Sequence, residues 1–149
     1  MAVMAVSHVA VGVKDMERAL RFYRDVIGLR VRADQIEEIP AMDGKPARKR
    51  RGVYLCWSEG PRESFLVLDQ QDDPFGAPAQ VFQVGIHHFG FWVDDVDTIV
   101  ARAKAGGFRL LTQPGIGDTK TYGEPPGGKV KSCFMLDPDG NCVQVDQRM

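Results

Sequence analysis

The sequence predicts an α+β fold built from two tandem βαβββ modules, and three observations carry that prediction. First, a strand-like apolar stretch running into a helix start occurs twice. It reads His8-Val9-Ala10-Val11-Gly12-Val13-Lys14-Asp15, then His88-Phe89-Gly90-Phe91-Trp92-Val93-Asp94-Asp95, at a shift of 80. Second, the matches continue with a slow drift. Gly28 and Arg30 match Gly107 and Arg109 at a shift of 79, and Cys56, Asp69 and Gln70 match Cys133, Asp146 and Gln147 at 77. Small loop deletions produce such a drift. Third, both copies run in the same order, a strand, a helix and three extended segments.

Each element has its own signal. Residues 6–13 alternate as a strand, and Asp15 is placed to cap a helix with Glu17 in its first turn. Met16, Ala19, Leu20, Tyr23, Val26 and Ile27 form an apolar stripe at helical spacing, which Gly28 ends. Segments 29–39 and 48–57 are extended, with a turn at Asp43-Gly44 between them, and 64–69 is a further strand. Residues 72–84 have no period and read as a connector. In the second copy Asp95 starts a helix with Val96, Ile99, Val100 and Ala103 on one face and Gly106-Gly107 as its stop. The spacing then predicts an extended segment at 108–112, a Gly/Pro-rich loop at 114–128, and strands at 130–136 and 142–147 joined by the turn Asp137-Pro138-Asp139-Gly140.

Strand alternation sorts the organising stretch into two faces. His88, Gly90 and Trp92 share one and suit a cavity wall. His87, Phe89, Phe91 and Val93 share the other and call for a helix above them, which makes His87 structural.

Composition narrows the function classes. The chain has 149 residues, 44% of them hydrophobic and 26% charged, which is ordinary for a globular protein with one proper core. A net charge of −1 argues against a general polyanion binder, so no nucleic acid is expected. No apolar run is long enough to span a bilayer, and the start has no basic leader, so neither a membrane partner nor a signal peptide is read. Three cysteines without a framework pattern point to reduced thiols and a cytoplasmic setting.

Two such modules, a histidine opening each, and a closing Asp137-Pro138-Asp139-Gly140-Asn141 turn resemble the vicinal oxygen chelate superfamily. That group includes glyoxalase I, extradiol dioxygenases, methylmalonyl-CoA epimerase, and fosfomycin- and bleomycin-resistance proteins. The resemblance spans essentially the whole chain. It implies a single domain over 1–149, made of modules 1–72 and 85–149 joined by connector 73–84. It also implies curved sheets around a cavity and a homodimer acting on a small-molecule substrate or ligand.

By the same resemblance, metal positions lie on the first and last strand of each module. In the first module these are His8 and Val67, and in the second they are His88 and Gln144. Val67 is a departure, because an aliphatic side chain cannot bind a cation. Gln144 is another, since many relatives place glutamate there. The remaining set, His8, His88 and Gln144, offers two imidazoles and an amide oxygen to a divalent ion such as Zn, Mn, Fe, Co or Ni. Trp92, Tyr122 and Val67 are the expected substrate-binding residues. No catalytic residue is assigned.

Glyoxalase-type isomerisation needs a general base beside the metal, and neither Val67 nor Gln144 supplies one. A dioxygenase fits the ligand positions better, with Gln144 in a carboxylate's place. Only three histidines exist, however, leaving no spare imidazole for acid–base work, and the dioxygenase signature tyrosine before Asp137-Pro138 is absent. Two function classes therefore stand. One is a metal-assisted enzyme, of dioxygenase or lyase type, on a small oxygen-rich or aromatic substrate. The other is a metal-free ligand-sequestering protein of the bleomycin-resistance type. A protein-interaction module is weaker, because nothing in that role calls for paired histidines.

Three further features complete the reading. Lys45 and Arg48 to Arg51 face Glu37 and Glu38, as cross-strand charge pairs or as an anion-gathering rim. The loop at 114–128, with Tyr122 and Glu124 in it and Lys129 and Lys131 beside it, is either a cover over the cavity or a surface connection. Cys142 shares a strand face with Gln144, and packing is its expected role.

Overall fold

The computed structural model describes residues 4–60, 63–72, 80–81 and 84–149. Two compact units form, Met1–Gly76 and Ala77–Met149, each with a four-stranded sheet. Of the connector at 73–84, residues 73–79 and 82–83 lie outside the described residues.

In the first unit the elements are β1 (His8–Gly12), α1 (Met16–Leu20), a π-turn (Arg21–Val26), β2 (Arg30–Ile39), β3 (Arg48–Cys56) and β4 (Phe65–Gln71). Their sheet order is β1-β4-β3-β2, with β1 parallel to β4 and the other pairs antiparallel. Asp15 caps α1 as expected, its Oδ1 accepting the Arg18 backbone N–H at 2.9 Å. Met16, Ala19, Leu20, Tyr23, Val26 and Ile27 are all buried. So is Phe22, which the helical stripe left out. After Leu20 the helix widens, with the Ile27 N–H bonding back five residues to the Phe22 carbonyl at 3.0 Å. The wider turn lets both adjacent rings, Phe22 and Tyr23, enter the core. The hairpin turn at Asp43-Gly44 has positive φ at both residues (50° and 71°), the type I′ geometry that matches strand twist.

The second unit repeats the plan as β5 (Phe89–Trp92), α2 (Val96–Ala105), β6 (Gly115–Asp118), a 3-10 turn (Thr119–Tyr122), β7 (Lys129–Leu136) and β8 (Cys142–Arg148), in sheet order β5-β8-β7-β6. The duplication extends to single bonds. The Val13 N–H donates to Asp69 O at 2.9 Å, and the Val93 N–H to Asp146 O at 2.8 Å. Gln70 and Gln147 likewise each tie β4 or β8 to the start of the neighbouring helix, one to Lys14 O and the other to the Val96 N–H.

The structure corrects the sequence reading in three places. The strand expected at 108–112 is reduced to a single bridge, Leu110 to Met135, and strand β6 instead lies inside the expected loop. Gly115-Ile116-Gly117-Asp118 is exposed throughout and glycine-rich, so no apolar alternation marks it, yet it pairs with Lys129–Ser132 at the sheet edge. Strand β5 begins only at Phe89, so both His87 and His88 precede it. His87 is exposed rather than lying under a helix. Among the described residues no helix is long and apolar enough to cross a membrane.

Candidate functional site

Sheet pairing decides which side chains of the second unit meet. Residues directly opposite across a ladder share a face. Gly90, Gln144 and Phe134 form one row, and Trp92, Asp146 and Ser132 the next. The other face of the sheet carries Val143, Val145, Cys133 and Met135, which are fully buried with Val96, Ile99, Val100 and Ala103 of α2. Gln144, Trp92 and Asp146 therefore stand on the face away from the helix.

There the 3-10 turn brings Tyr122 onto the sheet, and a closed set of hydrogen bonds results. The Tyr122 hydroxyl donates to Asp146 Oδ1 at 2.8 Å, and Gln144 Nε2 donates to the same oxygen at 2.7 Å and to Tyr122 Oη at 3.1 Å. Ser132 Oγ lies 3.1 Å from Tyr122 Oη. Asp146 is 6% exposed. Burial, with Asp146 adding to it, pushes the Tyr122 phenol above its ordinary range, so Tyr122 keeps its proton at neutral pH. The Trp92 ring leans on Tyr122 with centroids 5.3 Å apart, and the Arg148 guanidinium lies 4.7 Å over the Trp92 ring. Arg148 is in turn paired with Glu124. Trp92 remains 55% exposed, an open aromatic surface beside a buried polar network. A Cβ at Gly90 would lie 3.4 Å from Asp146 Oδ2, an ordinary contact, so this row carries no side chain above Asp146 but could hold a small one.

Of the residues expected from sequence, Trp92, Tyr122 and Gln144 come together in this cluster. His88 stands beside it, edge-on to Phe134 at 5.3 Å, and its Nδ1 shares a 2.7 Å hydrogen bond with His87 Nδ1. That bond takes one donor and one acceptor and leaves the His88 Nε2 outside it. His8 and Val67 belong to the first unit. His8 stacks on Phe65 at 5.2 Å, with Ser7 Oγ 2.9 Å from its Nδ1, and Val67 is 4% exposed between Ala10 and Tyr54. Asp146 and Ser132 were missed. The signal was present, because Asp146 lies two residues after Gln144 on the same strand face and matches Asp69 in the repeat.

Asp69 itself closes a second network. Arg50 donates to Asp69 Oδ2 at 2.5 Å and to Glu37 Oε2 at 2.6 Å, while the Tyr54 hydroxyl donates to Glu37 Oε1 at 2.7 Å. Tyr54 and Arg50 hold the Glu37 carboxyl below its usual range, and Glu37 raises the Tyr54 phenol. Arg51 chelates Asp34 and also reaches Glu17. The charge-pairing reading of this basic cluster thus describes Arg50 and Arg51.

A family model for the glyoxalase/bleomycin resistance protein/dioxygenase superfamily matches residues 7–123. The chain belongs to this superfamily. A probable chloroplastic lactoylglutathione lyase of Arabidopsis thaliana is 31% identical over 142 residues, which is 95% of this chain and 35% of that protein. The lactoylglutathione lyase of Haemophilus influenzae is 24% identical over 141 residues, covering 95% of this chain and 90% of the relative. The chain spans only about a third of the first relative and 43% of a second Arabidopsis one. Among solved structures, a glyoxalase family protein from Bacillus cereus superposes with a TM-score of 0.77 at 18% identity, covering 100% of this chain and 99% of the other. An antibiotic-binding protein from a Streptomyces species superposes at 0.59 with 24% identity, covering 100% and 99%. At these identities the structural likeness shows the fold.

Within this glyoxalase-superfamily chain, the donors at the carried-over metal positions can be weighed directly. Val67 is a buried hydrocarbon, and Gln144 is a neutral amide whose nitrogen donates to Asp146 and Tyr122. Two imidazoles and one amide oxygen supply no negative charge to a divalent ion, whereas carboxylates do. Among the described residues, no group of three or more His, Cys, Asp or Glu side chains could hold one. A neutral set of this kind holds a divalent ion less strongly than one that includes a carboxylate.

Cys142, on the same strand face, is buried, as are Cys56 and Cys133. Burial raises the thiols of Cys133 and Cys142, so both stay protonated and unreactive at neutral pH. Ellman titration of the folded protein is expected to find almost no reactive thiol, and after denaturation all 3. Rapid labelling of Cys142 in the folded state would contradict the packing role.

Proposed function

We propose that the protein binds a planar, oxygen-bearing small molecule against Trp92 and Tyr122, with Gln144 as the polar contact, as a ligand-sequestering member of its superfamily. The observation that supports this best is the pairing of an exposed Trp92 ring with an amide whose orientation is set by Asp146 and Tyr122. A flat apolar surface beside a few convergent polar groups is the usual composition of a small-molecule site. The neutral donor set at 8, 88 and 144, and the hydrocarbon at 67, favour binding without a catalytic ion. Isomerisation at carbon would also lack a base at either carried-over position.

Two measurements test this reading. Calorimetry with 2-naphthol as a probe is expected to show binding that weakens about tenfold in Trp92→Ala, roughly the worth of one aromatic contact. Elemental analysis after equilibration with zinc or manganese and gel filtration is expected to find far less than one ion per chain. Stoichiometric metal, lost in His8→Ala and in His88→Ala, would establish the metal-assisted enzyme in its place.

A further inference from the structure

The hydrogen-bond inventory around Tyr122 leaves no freedom in how Gln144 faces a ligand. A tyrosine hydroxyl has one proton, and here it goes to Asp146 Oδ1. The contact between Tyr122 Oη and Gln144 Nε2 is therefore an N–H donated by the amide, and the contact with Ser132 Oγ is an O–H donated by the serine. The same nitrogen also donates to Asp146 Oδ1, so both of its contacts lie on the protein side. The amide nitrogen thus faces into the protein against Asp146 and Tyr122, and Oε1 is the end of the side chain turned to meet a ligand. Rotating the amide by half a turn would set two acceptor oxygens against each other at the buried Asp146, which forbids the alternative.

We propose that Asp146, acting through Tyr122 and Gln144, is a positioning residue that makes position 144 a one-way acceptor. The ligand class that follows is a planar molecule bearing a hydroxyl or N–H donor on its ring, stacked on the Trp92–Tyr122 pair. A carboxylate or phosphate presented at the same point is repelled by Oε1 and by the nearby Asp146. The role of Asp146 does not follow from the positions carried over from the family, because Asp146 occupies none of them. The inference rests on the ligand-binding reading above and adds the chemical class of its ligand.

The test compares three probes of similar shape by calorimetry: 2-naphthol, its methyl ether 2-methoxynaphthalene, and 2-naphthoate. The parent protein is expected to bind 2-naphthol about tenfold or more tightly than the methyl ether, the effect of one well-placed hydrogen bond, and 2-naphthoate more weakly still. Gln144→Met, which keeps the length and removes the acceptor, is expected to bind the naphthol and the ether within about twofold of each other. Asp146→Ala frees the amide to rotate and is expected to lose the same preference. Asp146→Asn, whose carbonyl oxygen can accept the same two bonds, is expected to retain it. A merely structural role for Asp146 would lower both affinities together and leave their ratio unchanged. Equal binding of naphthol and ether by the parent protein, or a preference for naphthoate, overturns the inference while the ligand-binding reading stands. Binding of none of the three overturns both. Gln144→Met keeps the ratio readable even if Asp146→Ala fails to fold.

Discussion

Phe22→Ala is expected to destabilise the first unit by about 3–5 kcal/mol, the usual cost of emptying a large aromatic site in a packed core. Phe22 and Tyr23 are both 0% exposed, although they are adjacent on the chain. In a regular α-helix neighbouring side chains diverge by about 100°, so one of two adjacent residues tends to face outward. Here the π-turn holds both rings inside, edge to face with centroids 4.9 Å apart. Removing the Phe22 ring leaves a cavity that the Tyr23 ring cannot fill without losing that packing. Urea denaturation would measure the loss. Tyr23→Phe removes only a hydroxyl from the same pair and serves as the milder control. A loss below about 1 kcal/mol for Phe22→Ala would mean that the helix relaxes to a regular α form and collapses the cavity.

Arg50→Ala is expected to cost about 2–3 kcal/mol, because it strands two carboxylates rather than removing a surface charge. The Arg50 side chain is 22% exposed, and those of Glu37 and Asp69 are 25% and 14% exposed. That places the group between a surface pair, worth at most about 1 kcal/mol, and a fully buried one. The pH dependence has a definite sign. Glu37 is lowered in the folded state, so its contribution is present above the ordinary carboxylate pKa and is lost as pH falls through the folded value. Tyr54 is raised, so its contribution is present below the ordinary phenol pKa and is lost as pH rises through the folded one. The difference in urea midpoint between parent and Arg50→Ala is therefore expected to be greatest near neutrality and to shrink in acid. Arg50→Ala combined with Glu37→Gln and Asp69→Asn should recover part of the loss. A triple variant no more stable than Arg50→Ala would show that the stranded charges are not the cause.

How far the sequence carries the argument depends on the kind of signal each feature leaves. The two-module plan was legible because periodicity is local. The Asp15 and Asp95 caps, the α2 stripe, the Asp43-Gly44 turn and the last two strands all depend on residues within a few positions of one another. The edge strand Gly115–Asp118 was not legible, because its pairing is made by backbone groups to Lys129–Ser132 and its side chains bear no apolar pattern. The π-turn was hidden for a similar reason. A single extra residue in a helical turn shifts the buried face without any change in composition.

The candidate site divides along the same line. Strand alternation pointed to Trp92, the Gly/Pro-rich loop to Tyr122 and the superfamily resemblance to Gln144, while the repeat matched Asp146 with Asp69 without assigning either a role. Spacing along a chain shows which residues can share a face, because side-chain direction follows from the local backbone. It cannot show that a 3-10 turn 22 residues before Gln144 lays a phenol across that face. The direction of each hydrogen bond in the second unit follows from counting the protons on Tyr122, Ser132 and Gln144 once they are in contact. That contact is a product of tertiary packing, and it turns a neutral amide into a group with one chemical preference.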